Sequence, residues 1–373
     1  MESAGARSNG RSLLFMIFCC ELMMDILAIT LPIFALSLAA SPFEIGLLAT
    51  ARAIAYGLFT FVSGYMSDKL GRKKMLIFSM LISAIVSLVF LLATTSFQLI
   101  ILSLFHGLAM ALFWPAMEAL IAEDPNQSIS QSVRNFNSSW ATAAMVGPLM
   151  GGSLITFLGV RSPFPIVIAI AIINLSLIIR YGPREDRMRE RSTDPTTDSI
   201  PKSIISLVFL MGALTSIFPA FFPAFGIQRG ITAFEIGVLL FFFGASRTVV
   251  FFKTPIRKVG LKSSLALTSL GFFLVFIGNR LTIYAGTIIT AFATSILFAY
   301  CLERFLSGKD ETRGRRAGMF EGSAGIGAVM GSFSAGIAAD LSLSYAFLTA
   351  MTIGLITLAL QITKTKGKSA SPS

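Results

Sequence analysis

The chain is a succession of apolar runs, each long enough to cross a lipid bilayer, and no other feature constrains its fold as strongly. The runs fall near 12–38, 45–67, 74–95, 98–121, 133–157, 162–180, 203–226, 235–254, 261–280, 282–302, 316–339 and 341–363. A spanning helix needs about 20 mostly apolar residues. In hydrocarbon the backbone must satisfy its own polar groups, which makes the helix the natural form for runs of this length. Twelve membrane helices are expected. Charged residues make up 13% of the 373, against roughly 25% in an ordinary soluble domain. A soluble chain of this size could not hide so much apolar surface, so the fold class is all-α integral membrane.

The formal net charge of +11 would suggest nucleic acid in a soluble protein. Here the basic residues lie in short segments between apolar runs, as cytoplasmic loops do, and no nucleic-acid partner is expected. With the amino terminus placed in the cytoplasm, all but five of the 30 Lys and Arg fall on the cytoplasmic side. Arg161, Arg229 and Arg280 fall in external loops, and Arg52 and Arg247 lie within spans. This asymmetry predicts cytoplasmic termini. The one long polar interruption, "YGPREDRMRERSTDPTTDSIPK" at 181–202, reads as a cytoplasmic linker. It separates a six-helix bundle at 1–180 from a second at 203–373. Residues 1–30 have the basic start of a signal peptide, with Arg7 and Arg11, but Glu21 and Asp25 interrupt its apolar part. No clean small-residue cleavage site follows, and the segment reads as a retained first helix.

Several chemistries lack their material. Cys19, Cys20, Cys301 and the single histidine, His106, all sit in or at the end of apolar runs, an arrangement that suits neither a disulfide framework nor a metal centre. No phosphate-binding "GxxxxGK[ST]" string and no paired acidic cluster occurs. Neither cofactor nor enzymatic activity is expected.

The two halves repeat. "LPIFALSLAASPFEIGLL" (31–48) matches "FPAFGIQRGITAFEIGVL" (222–239) at a constant offset of 191, pairing Pro32 with Pro223 and repeating "FEIG". "GPLMGG" (147–152) matches "GSFSAG" (331–336) at an offset of 184. Two parallel six-helix repeats are a transporter architecture, with the substrate path between them near the midplane.

Between the second and third runs stands "GYMSDKLGRKK" (64–74). Gly64, Asp68, Lys69, Gly71, Arg72 and Lys73 fit the pattern G-x-x-x-D-[RK]-x-G-[RK]-[RK], and here the chain resembles the major facilitator superfamily over nearly its whole length. A glycine at 64 permits close helix approach, and one at 71 permits a tight turn. The basic residues hold the loop on the cytoplasmic side. Asp68 suits a helix amino terminus or a cation. The resemblance implies that this loop is half of a cytoplasmic gate, Asp68 docking near Arg315 and Arg316 at the start of helix 11. Otherwise the loop is a topology signal alone. A second copy, "KTPIRKVGLK" (253–262), keeps Gly260 but has Val259 where the acid belongs.

Gly147, Pro148, Gly151 and Gly152, with Ala143 before them, resemble the family's helix 5 antiporter motif, G-x-x-x-G-P-x-x-G-G, its first Gly replaced. Close helix packing without directional meaning is the other reading. In helix 4, "SLFHGLAMA" (103–111) has Ser103 and His106 where the family pattern often has R-x-x-Q-G. That departure weakens an antiporter assignment. His106 reads as a satisfied buried histidine rather than a titrating one.

A charge near the bilayer centre costs at least about 2.5–3.5 kcal/mol on insertion scales, so each needs a reason. Glu21 and Asp25 (helix 1), Arg52 (helix 2), Glu118 (helix 4), Arg247 (helix 8) and Glu321 (helix 11) are the candidates. Helices 3, 6, 9 and 12, which the resemblance places at the periphery, carry none in their apolar cores. Glu21 and Asp25 share a helix face, and two neighbouring carboxylates resist joint ionisation, which makes a protonatable site plausible. At 1.5 Å per residue Asp25 lies about 20 Å and Arg52 about 12 Å below the outer surface, a gap of roughly 8 Å that an arginine spans. The pair is either structural or part of the transport path. Arg247, about 18 Å deep, is the best candidate to meet an anionic or polar substrate. Glu118 and Glu321 serve either the gate or the substrate path. Trp114 and Trp140 either stack on substrate or pack helices.

The expected function is secondary active transport of a small molecule by alternating access, by a monomer in the lipid bilayer. Proton-coupled efflux of drugs or metabolites comes first. Import or antiport of organic anions, and a non-transporting sensor on the same fold, are the alternatives.

Overall fold

The computed structural model describes residues 2–122, 129–181, 200–253, 260–306 and 313–369, with the backbone alone at 2–9, 61, 64, 68, 122, 129–134, 251–253, 306, 313–318 and 364–369. Within these the chain forms twelve α-helices: α1 (Glu2–Ser37), α2 (Pro42–Leu70), α3 (Arg72–Leu92), α4 (Ser96–Ala122), α5 (Ile129–Leu158), α6 (Pro163–Tyr181), α7 (Lys202–Gln228), α8 (Ala233–Lys253), α9 (Leu261–Ile277), α10 (Arg280–Leu306), α11 (Arg313–Ala339) and α12 (Tyr345–Ser369). Eleven are long and apolar enough to cross a membrane, and α9 is a shorter apolar helix. Each expected run has its own helix, although several overrun it by one to four residues, and the run at 261–280 passes the end of α9 to the first residue of α10. Most of the linker, at 182–199, lies outside the described residues.

Contacts divide the chain into two units. Unit 1 holds residues 1–40, 51–194 and 232–244; unit 2 holds 41–50, 195–231 and 245–373. Each unit thus takes in the head of one helix whose remainder belongs to the other. The first residues of α8 belong to unit 1 and the first residues of α2 to unit 2.

Within unit 1, α1 packs most closely on α5, and α3 on α4 and α6. Within unit 2, α7 packs on α11, and α9 on α10 and α12. The packing scheme therefore repeats as the sequence does. Its details repeat too. Ser79 Oγ donates to the carbonyl of Ala109 at 2.6 Å, and Ser264 Oγ, its counterpart, to that of Ala293 at 2.8 Å. Such bonds join helices where lipid supplies no hydrophobic drive to association. Small residues do the rest: Gly327 and Gly331 of α11 lie on the backbone of α7 at Phe209 and Ala213.

Two of the three arginines expected in external loops have matching structural roles. Arg161 donates to the carbonyls of Leu91 and Ala93 at 2.7 and 2.9 Å, with its guanidinium 5.1 Å over the Phe34 ring. Arg229 donates to the carbonyl of Gly278 at 3.4 Å and lies 5.1 Å over Phe225, the repeat partner of Phe34. Each cation satisfies carbonyls at the carboxyl end of α3 or α9, where the helix dipole favours positive charge. The third, Arg280, donates from Nε to the hydroxyl of Tyr284 at 3.1 Å.

Candidate functional site

Glu21 and Asp25 stand one turn apart on α1, Glu21 buried and Asp25 half-buried. α2 brings the half-buried Arg52 to them: the carboxylates that act on its guanidinium are Asp25 first and Glu21 second. From α4 comes His106, 2% exposed and within the field of Arg52. Its Nε2 has no hydrogen-bond partner among the described residues. The sequence suggested a satisfied histidine; the structure leaves one ring nitrogen open instead. Burying charge is tolerable only with compensating charge nearby, and the two acids of α1 and the arginine of α2 supply it to one another. Asp25 Oδ2, like His106 Nε2, has no hydrogen-bond partner among the described residues.

Glycines let these helices meet. At Gly107, next to His106, the α4 backbone lies against the carbonyl of Arg52, and a Cβ there would collide with it. A Cβ on Gly147 would sit 2.5 Å from that of Asp25, and one on Gly151 would sit 2.6 Å from Ile29 Cγ2. Two glycines of the helix 5 motif therefore seat α1 directly behind its acid. The motif's other flank faces the head of α8, within the same unit. The Pro148 carbonyl would lie 2.6 Å from a Cβ on Gly237, and Gly152 meets the carbonyl of Ala233. Pro148 is accommodated without interrupting α5.

In unit 2, the half-buried Arg247 of α8 places its guanidinium 5.1 Å over the Phe298 ring of α10. Beside it Ser246 and Ser295 share a buried 3.1 Å hydrogen bond that ties the same two helices. Phe298 in turn meets Phe320 edge-on at 5.6 Å. Glu321, the next residue on α11, is exposed.

Trp114 is 7% exposed and makes T-shaped contacts with Phe113 and Phe136 at 5.3 and 6.0 Å. Trp140 is half-buried on α5, and Glu118 is exposed near the end of α4.

At the α2–α3 loop, Gly71 adopts φ +90°, a conformation that side chains oppose. Lys69 lies 4.5 Å over the Tyr65 ring. Lys73 Nζ donates to the carbonyl of Ile179 at 2.8 Å, fastening the loop to the end of α6. Arg72 begins α3. The side chains of Gly64, Asp68, Arg315 and Arg316 lie outside the described residues, as does Val259 of the second copy. Gly260 of that copy has φ −60°, and a Cβ added to it would meet nothing within 4 Å, so the copy has lost its need for glycine along with its acid.

Sequence reasoning missed Gly107, whose only trace is its place beside His106, and the open nitrogen of His106, which leaves no trace in a sequence.

The profile of the Major Facilitator Superfamily matches residues 13–302. Among curated relatives, a Na(+), Li(+), K(+)/H(+) antiporter of Planococcus maritimus is 31% identical over 36% of this chain and 32% of its own length. Multidrug resistance protein 2 of Bacillus subtilis is 30% identical over 43% of this chain and 40% of its own. Multidrug resistance protein MdtG of Salmonella schwarzengrund is 27% identical over 35% and 32%. The chain thus spans about a third to two fifths of the length of these curated relatives. Solved structures share the fold over nearly the whole chain. The nucleoside transporter NupG aligns with a TM-score of 0.77 at 13% identity, covering 96% of this chain and 99% of that one. The human organic anion transporter MFSD10 aligns with a TM-score of 0.66 at 17% identity, covering 94% and 99%. With a profile match across most of its length, the chain belongs to the Major Facilitator Superfamily.

Proposed function

We propose that this transporter exports drugs or metabolites in exchange for protons, with Asp25 and Glu21 as the proton-carrying carboxylates. The carrying observation is the charge cluster in unit 1: two acids on one face of α1, paired electrostatically with Arg52, with Gly147 pressed behind Asp25. A proton on Asp25 removes the counter-charge of Arg52. Because the backbone of α5 at Gly147 lies directly against Asp25, a rearrangement of that pair bears on the packing of α1 against α5. The relatives named as multidrug resistance proteins and as a cation/proton antiporter support the same direction.

On this reading the two six-helix halves, joined by the linker at 181–202, rock about the substrate path, with both termini and the linker in the cytoplasm. The protein acts as a monomer and needs small molecule, proton and bilayer, and no cofactor. The loop at 64–74 serves the cytoplasmic gate through Asp68. Glu118, Trp140, Arg247 and Glu321 line the path.

A second reading, transport of organic anions, is favoured by Arg247, a half-buried cation within a span whose guanidinium is of the type that recognises carboxylates. Efflux of ethidium, a lipophilic cation, from proteoliposomes with and without an imposed pH gradient separates the two. Ethidium transport that needs the gradient and is lost in Asp25→Asn supports exchange. Uptake of an organic anion lost in Arg247→Ala, with ethidium inert, supports the second reading. A ligand that binds without counterflow of label across the membrane would make the chain a sensor.

A further inference from the structure

The repeated "FEIG" opens α2 and α8, and both helices begin with the same reciprocal cap. Ser41 N–H donates to Glu44 Oε2 at 2.7 Å, and Glu44 N–H donates to Ser41 Oγ at 3.2 Å. In α8, Thr232 N–H donates to Glu235 Oε2 at 2.9 Å and Glu235 N–H to Thr232 Oγ1 at 3.2 Å. This capping box leaves the first helical turn short of acceptors at the positions between. In α2 the first of these is Pro42, which has no N–H. The other, Phe43, donates to Asp340 Oδ1 at 3.1 Å, a side chain at the end of α11 within unit 2. In α8 the equivalent Phe234 N–H donates to Thr156 Oγ1 at 2.8 Å, on α5 within unit 1. Thr156 and Asp340 are themselves repeat partners, at the offset of 184 that relates "GPLMGG" to "GSFSAG".

The glycines of the two repeats meet in the same pairs. A Cβ on Gly46 of α2 would lie 2.8 Å from the Cα of Gly336 of α11. A Cβ on Gly152 of α5 would lie 3.2 Å from the Cα of Gly237 of α8. Each sequence repeat therefore packs on the other repeat from the opposite half, through one glycine pair and one borrowed cap.

We propose that Asp340 and Thr156 are positioning residues of the transport cycle: each completes the N-terminal cap of a helix from the other half, and together they hold the external ends of the seams α2–α11 and α5–α8 shut. The two seams are unequal. Asp340 offers a carboxylate to a helix amino terminus, where negative charge is favoured, whereas Thr156 offers a neutral hydroxyl. The glycines let the backbones separate and re-form without repacking side chains. That the seams are external rests on the topology proposed above.

The test uses Ser332→Cys, a site 1% exposed whose backbone lies against Gly46, in full-length protein reconstituted in vesicles. The rate of labelling by a membrane-impermeant maleimide reports opening of the α2–α11 seam. Asp340→Ala raises the rate about five-fold, the factor that losing a cap of ordinary strength imposes on a two-state equilibrium. Asp340→Asn, which keeps an acceptor, stays within about two-fold of the parent. Equal rises in both variants, or none in Asp340→Ala, overturn the cap. If Asp340→Ala is not monodisperse, the same comparison is made with Thr156→Val against Thr156→Ser, read at Leu149→Cys beside Gly237. Labelling that occurs only in inside-out vesicles overturns the topology, and the Ala-to-Asn comparison still judges the cap there.

Discussion

Adding one methyl group to Gly147 tests whether the helix 5 motif bears on Asp25. The Cβ of an alanine at 147 would stand 2.5 Å from that of Asp25, 3.3 Å from the carbonyl oxygen of Leu22 and 3.4 Å from the backbone carbon of Asp25. Carbon atoms are most comfortable at about 3.5–4.0 Å, so α5 and α1 must part by roughly 1 Å or more. Two of the three contacts are backbone, and the third is fixed to it by one bond, so no side chain can swing aside. Overpacking of this kind costs about 1–3 kcal/mol. Gly57→Ala is the control, because nothing lies within 4 Å of a Cβ there on α2 and alanine is favoured over glycine in a helix by about 1 kcal/mol. Thermal unfolding of detergent-purified protein, followed by reactivity of its buried cysteines, should place Gly147→Ala below the parent and Gly57→Ala level with or above it. Proton-dependent ethidium transport should fall in the first variant and persist in the second. Equal stability and transport in the two would refute the packing argument.

Other expectations follow from the same geometry. Gly71→Ala, forced into φ +90°, should lose about 1 kcal/mol or more of stability, while Gly260→Ala, at φ −60° in open space, should be neutral by the same unfolding assay. Asp25→Asn and Arg52→Ala should each destabilise, and the double variant should lose less than their sum, with a coupling of about 0.5–3 kcal/mol; strict additivity would mean that the two charges do not interact. Arg161→Ala should lower the unfolding temperature, because two carbonyls at the end of α3 lose their donor at a cost of about 1 kcal/mol or more; a variant as stable as the parent would show that lipid headgroups or water replace it.

The helices were legible because lipid imposes length and composition directly, and each apolar run corresponds to one helix to within a few residues at its ends. Gly71 was legible as a turn for the same kind of reason, since only backbone geometry decides it. The duplication was legible as well, yet its meaning was not. "SPFE" and "TAFE" are capping boxes in plain sight, but nothing in either string says that Asp340 or Thr156 completes the cap. Periodicity describes a helix and its face; it does not name the helix that meets it. The depth arithmetic brought Asp25 and Arg52 together, whereas the approach of His106 depends on Gly107 and on a crossing of α4 with α2 that no local pattern encodes. The role of Asp68, read from its motif, remains a proposal to be tested by transport.

If Asp25 couples proton movement to export, neutralising it must separate the two. Ethidium efflux from proteoliposomes carrying an imposed pH gradient, compared between the parent and Asp25→Asn, reads this out, with counterflow at equal pH measured in both. Asp25→Asn is expected to lose gradient-driven efflux and to keep counterflow. Gradient-driven efflux that survives in Asp25→Asn would show that the proton is carried elsewhere.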